Sequence, residues 1–139
     1  MGASFARAMV AQGAKVVLGD VLDEEGLALE AELGTSAAYV HLDVTDREHW
    51  RHVIDRAVDQ FGKLTVLVNN AGVLTQGTIG EISQRDWART IEVNLTGAFN
   101  GIEAALPALR QNAPSSIINI SSIAGIKGYP GLAAYTASK

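Results

Sequence analysis

The sequence has no cysteine, which removes disulfides, thiolate nucleophiles and cysteine-based zinc sites together and fits a reducing cytoplasm. Charge is sparse: charged residues are 19% of the chain, and 11 basic against 15 acidic residues leave a net charge of −4. So mildly acidic a surface does not suit nucleic acid or an anionic membrane as the main partner, since either favours basic patches. No apolar run approaches the about 20 residues that a membrane-spanning helix needs. Acids are missing from the first stretch, where Arg7 and Lys15 are the only charges before Asp20, so a targeting peptide has to be considered. The apolar stretch Ala8 to Ala11 is too short for a secretory core, and Ala6 stands where N-myristoylation would need Ser or Thr. The expectation is a soluble cytoplasmic chain whose opening residues already belong to the fold.

What is present fits one globular domain. Hydrophobic residues are 47% of 139 residues, with 14 glycines, far from the composition of a disordered chain. Short apolar runs alternate with helical patterns, the mark of an α/β fold. Ala3 to Gln12 reads as a small-residue helix stopped by Gly13, and Lys15 to Asp20 as a segment ending in a buried strand. Asp23 to Leu33 is a polar helix closed by Gly34, Ala38 to Leu42 a second strand, and Thr45 the cap of a longer helix. In that helix Trp50, Val53, Ile54, Ala57, Val58 and Phe61 share one face, and Gly62 ends it.

Leu64 to Val68 is a continuous apolar run, as expected of a parallel strand covered on both faces. Ser83, with Asp86 three residues on, starts the longest helix, whose stripe is Trp87, Ile91, Leu95, Ala98, Ile102 and Leu109, and Pro107 is expected to kink or shorten its end. Ile117 to Ile120 is a fourth strand, and Tyr135 to Lys139 begins another helix. This order of elements implies a doubly wound parallel sheet.

Open parallel sheets bind ligands at the carboxyl ends of their strands. Here every strand runs into polar residues: Asp20, Asp43, Asn69-Asn70-Ala71-Gly72, and Ser121-Ser122. Each alone could be an ordinary turn residue, but the succession points to a binding edge. Tyr135 and Lys139 are four residues apart and share a helix face, and an ammonium beside a phenol favours the phenolate, which suits Tyr to proton transfer. Asn94 falls inside an apolar stripe, so its amide needs partners: either it is a satisfied structural residue, or it opens the helix and holds a water in a proton path. His49 and His52 lie on a solvated helix face with no third ligand evident, and no metal site is expected.

Taken together, Asn69-Asn70-Ala71-Gly72, Asn94 in Val-Asn-Leu-Thr-Gly, Ser122 closing Ile-Asn-Ile-Ser-Ser, and Tyr135 and Lys139 in Tyr-Thr-Ala-Ser-Lys resemble the classical short-chain dehydrogenase/reductase family over essentially the whole chain. The resemblance implies a Rossmann-like α/β fold with Tyr135 as general acid/base and Ser122 hydrogen-bonded to the reacting oxygen. Lys139 would hold the nicotinamide ribose and favour the Tyr135 phenolate, and Asn94 would anchor a water relay. Hydride would pass between nicotinamide and a carbinol carbon while Tyr135 moves the hydroxyl proton. Asp20 would accept from the adenosine ribose, and with Val21 next to it rather than Arg, NAD is favoured over NADP. Asp43 and Val44 resemble the pair that contacts adenine, and Asn70, Ala71 and Gly72 the segment that lines the adenosine and backs the central strand.

The family pattern opens with a strand and a Thr-Gly-x-x-x-Gly-x-Gly loop that cradles the pyrophosphate. Only its last glycine has a counterpart, Gly2. The strand without a counterpart would lie at the centre of the sheet, between Lys15 to Asp20 and Leu64 to Val68. Residues 1–139 are therefore expected to be one partial dinucleotide-binding and catalytic domain of a longer enzyme, lacking the first strand and the C-terminal lid. By themselves they are expected to be inactive.

The substrate is expected to be a small alcohol or ketone. Similarity is greatest to bacterial 3α/20β-hydroxysteroid dehydrogenases, and Leu74, Ile123, Ala124, Ile126 and Tyr129 could supply an apolar wall. A 3-oxoacyl-carrier-protein reductase and a sugar or polyol dehydrogenase are the alternatives. A nucleotide-binding protein without turnover is the alternative of another class, against which the full set of four residues argues. The resemblance also implies a homo-oligomer, a tetramer.

Overall fold

The computed structural model describes residues 1–139 as an α/β fold. Helix α1 (Gly2–Ala11) leads to strand β1 (Val16–Asp20), followed by α2 (Asp23–Leu33), β2 (Ala37–His41) and α3 (Arg47–Phe61). Then come β3 (Val66–Asn69), α4 (Gln84–Ile91), a π turn (Glu92–Thr96), α5 (Gly97–Gln111), β4 (Ser116–Asn119) and α6 (Ala133–Ser138). No helix is long and apolar enough to cross a membrane.

Turn chemistry accounts for most of the boundaries. Gly62 takes the left-handed conformation (φ 78°) that ends α3, where a side chain would be strained. Ser83 caps α4, its Oγ accepting from the Asp86 N–H at 3.0 Å. The cap of α3 is Asp46 and not Thr45: the Asp46 carboxylate takes the Glu48 N–H at 2.7 Å, while Thr45 donates to Asp43. Pro107 does not end α5, which continues to Gln111.

β1 and β2 pair in parallel from Val16↔Ala37 to Asp20↔His41, and β3 and β4 from Val66↔Ser116 to Asn69↔Asn119. β1 and β3 do not pair, so the sheet exists as two halves with the break where the sequence placed it. Between the halves runs a cleft of about 850 Å³, lined by β1 and β3 and by residues of α1, α3 and α5. The second pair departs from expectation. β4 is exposed throughout and Val66 of β3 is 37% exposed, because these strands lack the second neighbour and second layer that cover a central parallel strand.

The core forms where α3 and α5 meet beneath the strands: Leu42, Val44, Trp50, Val53, Ile54, Leu67, Ala105 and Leu109 are buried in one cluster. Full burial of a side chain such as Leu109 contributes about 1.5–3 kcal/mol. Val58, assigned to the same face from its spacing, is exposed. The stripe read along the longest helix is corrected more deeply. The buried residues are Thr90, Asn94, Gly97, Asn100, Gly101, Ala105 and Leu109, whereas Trp87 and Leu95 are exposed. The π turn adds a residue to one turn and so shifts the phase from Leu95 onward, while Trp87 and Thr90 lie before it, where packing of α4 against α6 sets the buried face. Small residues then let the helix approach closely: a Cβ at Gly97 would stand 2.6 Å from Val44 Cγ2.

Candidate active site

Asn94 is the most firmly held of the candidate residues. It is 7% exposed, its Oδ1 accepts from the Val73 N–H at 2.7 Å, and its Nδ2 donates to the Val73 carbonyl and the Ser138 hydroxyl, both at 2.9 Å. The buried amide is thereby satisfied. The helix does open here: the Gly97 N–H closes on the Glu92 carbonyl, the i→i+5 bond of a π turn, a feature that tends to mark functional sites.

Gly72 is where the candidates converge. A Cβ on it would lie 3.2 Å from Asn94 Oδ1 and 3.3 Å from Lys139 Nζ, so a side chain would press on both. Lys139 Nζ donates to the Ile120 carbonyl at 2.9 Å, and Ser121 Oγ donates to the Lys139 main-chain oxygen at 2.9 Å. These bonds stitch the end of β4 to the end of α6. The Lys139 ammonium stands 5.9 Å from the Tyr135 ring centroid, as their one-turn separation requires. Ser122 caps the 3-10 turn Ile123–Gly125, its Oγ accepting from the Ala124 N–H at 3.1 Å. That leaves its proton available to another acceptor. Ser122 and Tyr135 are not hydrogen-bonded to each other.

On the other half-sheet, Asp20 ends β1 with Oδ1 accepting from the N–H groups of Val21 (2.8 Å) and Leu22 (3.2 Å), which leaves Oδ2 uncommitted. Val21 is exposed beside it. Asp43 folds onto its own loop, accepting from the Thr45 N–H at 2.9 Å and hydroxyl at 2.8 Å. The Asp43 N–H donates to His49 Nδ1 at 3.2 Å, and the His49 ring meets that of His41 edge-on at 5.3 Å, so His49 is not simply solvated. Val44 is buried, its carbonyl accepting from Trp50 Nε1 at 3.0 Å and Asn100 Nδ2 at 3.3 Å.

Gly2 opens α1. The Ser4 and Phe5 N–H groups return to the Met1 carbonyl, leaving those of Gly2 and Ala3 open, and a Cβ at Gly2 would be 3.1 Å from Asn70 Nδ2. Asn70 Oδ1 is buried without a partner. The donor set fits a dinucleotide: a free carboxylate oxygen for a ribose hydroxyl, open helix-start N–H groups for an anion, and a bare Gly72 beside Asn94 and Lys139.

Several contributors escaped the reading of the sequence. Ser138 joins Asn94 to α6, yet its partner is 44 residues away and no periodicity announces it. Asn100 is buried although it lies opposite the apolar stripe read along the helix, so its position gave no signal either. Tyr39, half-buried on β2, gave none.

The comparisons with known proteins agree with this fold. A family model described as short chain dehydrogenase matches residues 1–139. The chain belongs to the short-chain dehydrogenase family, a family of oxidoreductases. It is 55% identical over its whole length to the 3-alpha-(or 20-beta)-hydroxysteroid dehydrogenase of Mycobacterium tuberculosis, covering 54% of that protein. It is 50% identical to the trans-4-hydroxycyclohexanecarboxylate dehydrogenase of Sinomonas cyclohexanicum, covering 57% of it. A crystal structure of a short chain dehydrogenase/reductase from Burkholderia phymatum in complex with NAD superposes with a TM-score of 0.87 at 34% identity, over 95% of this chain and 50% of that one. The chain thus spans about half the length of the curated relatives it matches.

Proposed function

We propose that the protein carrying this sequence is an NAD(H)-dependent oxidoreductase that interconverts a secondary alcohol and its ketone, with alicyclic alcohols, hydroxysteroids among them, as the substrate class. The observation that carries this reading is the convergence of Asn94 Oδ1 and Lys139 Nζ on Gly72, with Tyr135 one helical turn from the lysine. When bound, the dinucleotide would supply the hydride acceptor or donor. Tyr135 carries the substrate's hydroxyl proton as general acid/base, and Ser122 donates its remaining proton to the reacting oxygen. Lys139 orients the ribose hydroxyls beside Tyr135, and Asn94 with its π turn anchors the path by which the proton leaves. Asp20 Oδ2 accepts from the adenosine ribose, and its charge disfavours a 2′-phosphate there.

The substrate class is supported by the names of the two relatives, both of which act on ring alcohols. Ile123 and Ile126, just past Ser122, add support, being 67% and 90% exposed, and Leu74 is 53% exposed, whereas Ala124 is buried and packs inward. The test is a substrate panel with NAD⁺ and NADP⁺: cyclohexanol, cyclopentanol, a 3α-hydroxysteroid, a polyol and a 3-oxoacyl thioester in the reverse direction. Turnover of the ring alcohols with NAD⁺ is expected. Activity confined to the polyol or the thioester, or to NADP(H), would overturn the proposal.

A further inference from the structure

Tyr39 stands in the middle of β2, in register with Leu18 of β1, two residues before the His41 that pairs with Asp20. Its hydroxyl lies 2.7 Å from the Asp20 carbonyl and 2.6 Å from Asp23 Oδ1, one proton facing two acceptors. Burial, first, and then the hydrogen bond to Asp23 and the charges of Asp23, Asp20 and Glu25 push the phenol well above its ordinary range, so it stays a donor. The Asp20 carbonyl also accepts from the Leu42 N–H at 2.9 Å, and Asp23 Oδ1 has His41 Nδ1 at 2.7 Å. The Tyr39 ring fills the space that Gly26 leaves on α2, where a Cβ would collide with it. Tyr39 therefore bridges the strand end to the first turn of α2, across the Asp20-Val21-Leu22 turn whose N–H groups fix Asp20 Oδ1.

We infer that Tyr39 is a positioning residue for the Asp20 carboxylate and so determines how sharply the site discriminates between adenosine ribose with a free 2′-hydroxyl and ribose with a 2′-phosphate. The inference rests on the reading of Asp20 as the ribose acceptor. Discrimination by like charge requires that the carboxylate cannot swing aside when a phosphate approaches. The Asp20 side chain is exposed and its own two bonds come from a short turn, so what stops the turn from opening is the anchoring of its two ends. The single Tyr39 proton is shared between the two ends.

Tyr39→Phe keeps the ring against Gly26 and removes only that hydroxyl. In the protein carrying this sequence, it is expected to lower the NADH-to-NADPH affinity ratio about fivefold, the size of one ordinary hydrogen bond, with kcat on the preferred alcohol unchanged. Amide hydrogen exchange of Val21 and Leu22 is expected to accelerate several-fold without cofactor present, while that of α3 stays the same. Asp20→Ala, measured beside it, separates the two ideas. If Asp20→Ala abolishes the preference and Tyr39→Phe leaves both the ratio and the Val21 and Leu22 exchange within about twofold of the unmodified protein, the positioning role is overturned and the ribose reading stands. If Asp20→Ala leaves the ratio unchanged, or the unmodified protein binds both cofactors equally, the ribose reading falls and the inference with it.

Discussion

Asn94 and Ser138 are joined by a 2.9 Å hydrogen bond across 44 residues of sequence, and Ser138 passes the connection on by donating to the Tyr135 carbonyl at 2.8 Å. The π turn and the helix that bears Tyr135 and Lys139 are thereby held as one unit. Ser138→Ala removes the acceptor and leaves one Asn94 N–H buried without a partner. A loss of about 1–3 kcal/mol is expected, read as a lower denaturation midpoint at unchanged m-value. An unchanged midpoint would mean that Asn94 finds another acceptor.

Tyr135→Phe keeps the ring beside Lys139 and removes the proton. The expected outcome is a fall in kcat of about 10²- to 10⁴-fold with NADH binding by titration calorimetry retained. Near-normal turnover would show that another group moves the proton.

Gly101→Ala sets two effects against each other. Alanine in a helix interior is favoured over glycine by about 1 kcal/mol, yet the new Cβ would stand 2.7 Å from Asn69 Oδ1 and from two ring carbons of Trp50. Trp50 is 5% exposed and hydrogen-bonded to Val44, so it has little room to yield. Overpacking costs about 1–3 kcal/mol, and a net loss of stability is expected in chemical denaturation.

Acid should loosen the region around α2. The hydrogen bond from Tyr39, and after it that from His41, hold the Asp23 carboxyl below its ordinary value. A lowered folded-state pKa means stability that is present above the unfolded-state value, about 4, and is lost as the pH falls through the folded-state value. Thermal midpoints tracked from pH 6 to pH 2 should therefore decline less steeply in Asp23→Asn than in the unmodified protein. Parallel curves would remove Asp23 from the acid response.

Residues that act through local chemistry were legible in the chain itself. The bounds of α2, the glycine that ends α3, the Ser83 cap and the succession of polar strand ends arise from turn propensity and periodicity within a few residues. The expectation that Asn94, Ser122, Tyr135 and Lys139 act together came from the family resemblance, since nothing local ties a serine after one strand to a tyrosine on a later helix. Asn94 was legible from its place in the apolar stripe, but the burial of Thr90 in place of Trp87 was not, because both precede the π turn and their face is set by what the helix packs against; the exposure of Leu95 falls within the π turn, which shifts the phase of the helix.

By itself the sequence determined the order and type of the elements, since these depend on neighbours within a few residues: capping groups, glycines and alternating apolar runs. Only the tertiary structure decided which polar groups meet. The pairing of Asn94 with Ser138, the bridge from Tyr39 to Asp20 and Asp23, and the closeness of Lys139 to Gly72 all join segments distant in sequence. Such contacts become favourable only when packing has brought the segments together, and so they leave no periodic trace in the chain.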